Sequence, residues 1–370
     1  MNYRRLKLFT FAVFVVSGFV FLTFQTYQSV KPGLSIASIS YGYILPLKPE
    51  LFDLRVSKDK YEKIYFVGDI MLGRHVEFMM SKHGNSYPYN KFKFDDSSYV
   101  MGNFEASIPL SHKPTPNLGL KFSVDDKYIS SLKSAGFTHL SLANNHSLDF
   151  GKKGYLNTKD VLNTNGLMAV GHPTILSTSS IALMEVSGHM VSVITVHTLF
   201  GKPTDLQISS VLEYATVNSD FQIIYVHWGD EYKQISKKSD RKFAKKLVDY
   251  GADLIIGHHP HVVQNIEEIE GVPVIYSLGN FIFDQFFSSE VQEGLVVELG
   301  VDNGLVLNLI PITSKSSKAQ PQQMNDEESK KFLNNLTAIS SDSFREGIMK
   351  GEISIENKLA SSSETAIMAK

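Results

Sequence analysis

The 370-residue chain contains no cysteine, which excludes disulfides, thiol nucleophiles and zinc–thiolate sites. Net charge is nearly absent as well. The 36 Lys and Arg against 38 Asp and Glu give −2, without the basic excess of nucleic-acid-binding domains, so nucleic acid is not an expected partner. Tryptophan occurs once, as Trp228. Long apolar runs are scarce, and the N-terminal one stands out: Leu8 to Phe24 is uncharged and follows Arg4, Arg5 and Lys7. That length lies within the range of a spanning helix, and the basic flank favours a cytoplasmic N-terminus. Gln25-Thr26-Tyr27-Gln28 lacks the small residues of a signal-cleavage site. The expected layout is a cytoplasmic tip (1–7) and an uncleaved transmembrane signal anchor (8–26). The rest would face the periplasm or cell exterior as a single-pass membrane protein. A cleaved signal peptide would leave the compartment unchanged.

Residues 27–60, with Pro32, Pro46 and Pro49, read as a connector. From residue 61 the texture changes. Ile64–Val67, Tyr99–Met101, His139–Leu142, Ile223–Val226, Leu254–Ile256 and Val274–Leu278 are short, apolar runs expected to form buried strands. Between them, 127–135 and 240–250 carry apolar residues at helical spacing and stop at Gly136 and Gly251. Residues 181–185 and 190–195 suggest a hairpin turning at Ser187-Gly188. Strand–helix alternation with one hairpin predicts an α/β domain with mixed sheets over 61–313. A polar C-terminal extension (314–370) follows, with a short helix near 327–336 and a loosely held last thirty residues.

The polar residues collect where strands end. His258-His259-Pro260-His261 directly follows the apolar run Ala252–Gly257, and buried imidazoles need hydrogen-bond partners or a metal. Pro260 restricts the backbone of His259. Other strand ends supply Asp69 and Arg74; Asn103 and Glu105; Asn144, Asn145 and His146; His227 and Glu231; and Asn280. Five of the twelve histidines (146, 227, 258, 259, 261) sit at these ends, where α/β sheets bind ligands. Carboxylate, carboxamide and imidazole without thiolate suit Zn, Mn or Fe better than Ca. One of Asn144 and Asn145 is expected to be a turn residue, and Trp228 to pack beside the site. His75, His83, His112, His172 and His197 read as surface residues or as locally paired.

Gly68-Asp69-Ile70-Met71-Leu72-Gly73-Arg74, Asn103-Phe104-Glu105, Ala143 to Asp149, His227-Trp228-Gly229, Gly257 to His261 and Tyr276 to Phe281 together resemble the CapA-type capsule (poly-γ-glutamate) synthesis family. The resemblance implies a calcineurin-like metallophosphatase fold: a four-layer αββα sandwich with mixed sheets, behind one N-terminal transmembrane helix. It further implies one or two divalent ions (Mn, Zn or Fe). Asp69 would be a ligand of the first and Asn145 of the second, with His227, His259 and His261 as imidazole ligands and His146 as the acid. Two departures stand out. Met71 occupies a position where that superfamily usually has His, and Asn103 aligns near its bridging Asp, so Glu105 would have to bridge. A single ion therefore fits as well as two. The Phe-Arg associated with the segment ahead of Asn-Asn-His stands here as Phe122-Ser123, with Lys121 as a stand-in cation. Arg74, Asn103, Asn144, Glu231, His258 and Asn280 complete the candidate set as substrate contacts, His258 being the histidine expected to point away from the ion.

Two functional readings follow. One is a metal-dependent hydrolase acting in biosynthesis, export or retention of an anionic polymer such as poly-γ-glutamate. The other is a non-catalytic scaffold or polymer-binding subunit of a capsule ligase or export complex.

Overall fold

The computed structural model describes residues 61–116, 119–302 and 304–356. The expected anchor (8–26) and connector (27–60) lie outside these residues. No helix among the described residues is long and apolar enough to cross a membrane.

The chain builds one sheet, moves to a second and returns to the first. Strands β1 (Lys63–Ile70), β2 (Ser98–Phe104), β3 (His139–Ser141) and β4 (Met168–Val170) pair in parallel in that order. Helices α1 (Arg74–His83), α2 (Ile129–Ser134) and α3 (Gly151–Thr164) connect them. The second sheet begins with the expected hairpin, β5 (Ile181–Val186) and β6 (His189–His197). It continues in parallel through α4 (Asp205–Asn218) to β7 (Phe221–His227), then through α5 (Lys238–Asp249) to β8 (Leu254–His258). Strands β9 (Ile266–Ile269) and β10 (Val272–Ile275) close it.

Of the single strand expected over 274–278, only Val274 and Ile275 lie in a strand, and the rest is a crossing. Strand β10 ends at Ile275, and β11 (Asn280–Ile282) pairs with β1 in the first sheet, so Tyr276–Gly279 carries the chain between sheets. The long hairpin β12 (Glu293–Asp302) and β13 (Gly304–Thr313) then adds antiparallel to β1. Short β14 (Gln322–Gln323) and β15 (Glu352–Glu356) both pair with β13, making the first sheet nine-stranded and mixed.

Period-two alternation sorts the apolar runs onto two faces. Ile64 and Phe66 share one core with Ile223, Tyr225, Leu254 and Ile256 of the other sheet. Their neighbours Tyr65 and Val67 pack with Leu132 of α2 and Tyr155 and Leu162 of α3. On the far side Ile224, Val226 and Ile255 pack with Ile208 and Leu212 of α4 and Phe243 and Leu247 of α5. Helix, sheet, sheet, helix: the expected four-layer αββα arrangement follows from strands that are apolar on both faces.

The C-terminal segment departs from expectation. Helix α6 (Asp326–Ile339) starts at a reciprocal cap, Asn325 Oδ1 accepting from Glu328 N and Glu328 Oε2 from Asn325 N, both at 3.0 Å. After it, α7 (Arg345–Lys350) and β15 return to the sheet. Phe332, Leu333, Leu336, Ile348 and Ile353 all join the inter-sheet core, so residues 341–356 are part of the domain and not a loose tail. Polar composition disguised this, because only a few apolar residues at the right spacing are needed to cover a sheet edge. Ile348→Ala and Ile353→Ala should each cost about 2–5 kcal/mol, read by urea denaturation.

At the first sheet's centre Tyr65 stands opposite Glu298 and donates its hydroxyl to Oε2 at 2.5 Å. Asn308 Nδ2 and Lys63 Nζ reach Oε1 at 2.9 and 3.1 Å. Burial alone would raise the Glu298 carboxyl, but these donors more than offset it and hold it below its ordinary 4.5. A depressed folded-state pKa contributes stability above the unfolded value that is lost as pH falls through the folded one. The stability advantage of wild type over Glu298→Gln should therefore be full at pH 6 and shrink below about pH 4.

Candidate metal centre

The parallel strands of both sheets present their C-terminal ends to the same seam. On one side β1 delivers Asp69, flanked in register by Asn103 of β2 and Asn280 of β11, with Glu105 just beyond β2. On the other, β7 and β8 set His227 beside His258. Below them the Tyr225 hydroxyl crosses the interface to Val67 O at 2.5 Å. Gly257 has no room for a side chain: a Cβ would lie 2.0 Å from Tyr276 O and 2.4 Å from the Trp228 indole nitrogen. Trp228, which packs beside the site as expected, donates to Tyr276 O at 2.8 Å.

Asp69 and Glu105 are both fully buried and differ sharply in their neighbours. Asp69 accepts from Asn103 Nδ2 at 2.8 Å and from the His259 backbone N–H at 3.1 Å. His258 Nδ1 and His261 Nδ1 each lie 3.4 Å from its oxygens. Burial would push its carboxyl up, but these imidazoles pull it well below the usual range. Glu105 is driven the other way by burial and by the charge of Asp69. Its Oε1 has no hydrogen-bond partner among the described residues, with His146 Nε2 at 3.7 Å and His261 Nε2 at 3.8 Å.

Three of the histidines, His227, His258 and His259, are held toward the neutral form. Burial lowers His227 well below 6.5 and His259 to about 3; burial also lowers His258, against the pull of Asp69. His227 Nδ1 and His258 Nδ1 are 2.8 Å apart, and His227 Nε2 is 2.7 Å from Asn145 Oδ1. His259 Nδ1 and His258 Nε2 lack partners among the described residues. His261 Nδ1 meets Asn280 Oδ1 at 2.9 Å, which fixes its ring. His259 and His261 adopt φ of 103° and 60°. Such backbone costs of order 1–3 kcal/mol in a residue with a side chain. Here Pro260 does not hold His259 extended; the left-handed turn aims its N–H at Asp69.

Two ligand sets result, each with its atoms within 4.8 Å of one another: Asp69, His227 and His258, and Glu105, His259 and His261. His258 thus converges on the first set rather than pointing away. Two carboxylates, four imidazoles and buried ligand atoms without partners among the described residues fit a divalent cation of the Zn, Mn or Fe type. Met71 takes no part: its buried sulfur accepts from Gly73 N at 3.1 Å.

Other expected residues serve around these sets. Asn144 is the turn residue of its pair, its Oδ1 accepting from His146 N, Ser147 N and Ser147 Oγ at 2.9–3.0 Å. Its Nδ2 donates to Asn103 Oδ1 and Phe104 O, both at 2.9 Å. Asn145 and His146 are thereby projected, half-buried, toward the ligands. Arg74 pairs through Nε with Asp284 Oδ2 at 3.1 Å and through Nη2 with Asp284 Oδ1, and lies 4.6 Å above the Phe122 ring, so its charge is already matched. Glu231 is exposed on the loop after β7.

Three residues around the site carried no role in the sequence reading. Asp149 Oδ2 lies 2.9 Å from His146 Nδ1, Phe122 stacks on His146 at 3.9 Å, and Asp284 anchors Arg74. Asp149, three residues after His146, could have been found from that spacing; Asp284, 210 residues from Arg74, offers no local signal.

Because burial raises Glu105, metal-free protein should lose stability as pH climbs above the ordinary carboxyl value of 4.5. In chelator at pH 7, Glu105→Gln should melt higher than wild type, the difference vanishing at acid pH. Adding Zn²⁺ or Mn²⁺ at 100 times its Kd should stabilise wild type by about 2.7 kcal/mol and the variant far less.

Known proteins bear on this arrangement. The model of the bacterial capsule synthesis protein PGA_cap family matches residues 63–285. The capsule biosynthesis protein CapA of Bacillus anthracis is 32% identical over 279 residues, 69% of this chain and 68% of that one. The PGA biosynthesis protein CapA of Bacillus subtilis (strain 168) is 28% identical over 344 residues, 87% of this chain and 90% of that one. A solved phosphatase from Mycoplasma pneumoniae overlaps 71% of this chain and 92% of its own at 15% identity, but its TM-score of 0.38 is too low to carry an argument. With the family model covering the strands that build the seam, this chain belongs to the bacterial capsule synthesis (PGA_cap) family.

Proposed function

We propose that the chain is a membrane-anchored, extracytoplasmic, metal-dependent hydrolase serving biosynthesis, export or retention of a poly-γ-glutamate-type capsule polymer. Family membership supports the capsule role, and the CapA relatives are named for capsule and PGA biosynthesis. The apolar run 8–24 behind a basic flank supports the anchor. One observation carries the metal-dependent chemistry: Glu105 Oε1, fully buried and without a hydrogen-bond partner among the described residues, faces two imidazole nitrogens at 3.7 and 3.8 Å.

Asp69, His227 and His258, and Glu105, His259 and His261, would hold the ion or ions, with Asn145 at the edge of the first set. A bound divalent ion supplies Lewis acidity to a phosphoryl or carbonyl oxygen and lowers the pKa of water. Everything else falls to the chain. Asn103 ties Asp69 to Asn144, and Asn280 orients His261. Asp149 accepts a hydrogen bond from His146 Nδ1–H and would stabilise positive charge on the ring, while Phe122 keeps the ring's Nε2 toward Glu105. That Nε2 is the atom placed to hand a proton to a leaving oxygen or nitrogen.

A scaffold or polymer-binding role is the second reading, favoured by Met71, whose sulfur is engaged by Gly73 N–H instead of the ligand sets. Purified protein loaded with Mn²⁺ or Zn²⁺ should hydrolyse a chromogenic aryl phosphodiester or γ-glutamyl anilide. His146→Ala should lower kcat about 10²–10⁴-fold. Capsule polymer made by cells carrying His146→Ala or His259→Ala decides between the readings. Wild-type amounts with both variants, and no turnover by the loaded enzyme, would sink the hydrolase.

A further inference from the structure

Away from the seam, a second group of metal-ligating side chains lies beneath the start of α1. Glu77, His112 and Asp125 each direct a ligand atom to within 4.8 Å of the others. Glu77 is buried, and its Oε2 has no hydrogen-bond partner among the described residues. An unsatisfied buried carboxylate oxygen is costly unless a cation or donor meets it. His112 does so for one oxygen only, Nε2 standing 2.8 Å from Glu77 Oε1.

The surroundings resemble those of a metal-ligating imidazole. His112 Nδ1 is 2.7 Å from Ser123 Oγ, a contact that fixes the ring and turns Nε2 toward the carboxylates. Asp125 Oδ2 is paired with Lys127 Nζ at 2.7 Å, but that lysine is 57% exposed, and an exposed pair of this kind contributes little. Half-buried Asp125 and His112 leave the group open on one side.

We propose that Glu77, His112 and Asp125 form a second, structural divalent-cation site, independent of the ions at the seam. One imidazole and two carboxylates suit Zn²⁺ or Mn²⁺ better than Ca²⁺, which takes six to eight oxygens. An ion there ties α1, through Glu77, to the segment holding Phe122, Ser123 and Asp125. The two elements already meet closely: a Cβ on Gly73 would lie 2.7 Å from Ser123 O. Phe122 in turn stacks on His146, so the site braces the wall behind that ring.

Metal content tests this without reference to activity. Full-length protein in detergent is stripped with chelator and dialysed against Zn²⁺ or Mn²⁺, and bound metal per chain is measured. Glu77→Gln and His112→Ala should each bind one equivalent fewer than wild type. The same single equivalent should disappear when either is added to His259→Ala, whatever the seam retains. Ser123→Ala keeps all three ligands and should weaken that equivalent about 10–100-fold. Circular dichroism in chelator establishes that each variant is folded. Equal metal content in wild type and folded Glu77→Gln, with or without His259→Ala, would overturn the second site and leave the seam ligands unaffected.

Discussion

The structure depends on one demand: two carboxylates, Asp69 and Glu105, are buried completely in the seam between two sheets. An ionised carboxylate removed from water must be met by donors or cations. Asp69 is met, by the amide of Asn103, the N–H of His259 and two imidazole edges. Glu105 is met on one side only. That asymmetry fits the seam to a cation, and it separates two groups that burial alone would raise together: the imidazoles pull Asp69 back down, while the charge of Asp69 drives Glu105 further up.

Much of the surrounding fold holds this arrangement rigid. Parallel strands from both sheets end at the same level, so register sets which side chains meet. Positive φ at His259 and His261 stores strain where the loop turns its N–H and rings toward the carboxylates. The Tyr225 hydroxyl bond between the sheets and the side-chain-free contact at Gly257 keep the strand ends close. Asn144 spends its hydrogen bonds on its own loop, which frees Asn145 and His146 to face the ligands.

The geometry of the seam converges on His146, which lies within the stretch that the family model matches. Stacked on Phe122 and bonded to Asp149, the ring has only its Nε2 edge directed to the ligand sets. Arg74, whose position at a strand end suggested a polymer contact, is neutralised by Asp284 and serves as the other wall of Phe122.

Apolar runs and helical spacing were enough to locate three of the first sheet's nine strands, five of the second sheet's six with their hairpin, and two connecting helices, because burial on both faces leaves continuous apolar runs. The strand-end residues were legible for the same reason, since an imidazole or carboxylate next to such a run has nowhere to go but the seam. What required the tertiary structure was every contact between residues distant in the chain. His258 joined Asp69 and His227 because β7 and β8 align them in register. Asp284 captured Arg74 from 210 residues away, and the polar C-terminal stretch proved to cover a sheet edge with five apolar residues. Local spacing encodes which side of a strand or helix a residue occupies. Only the packing of the two sheets decides which other side chain, brought from elsewhere in the chain, it meets there.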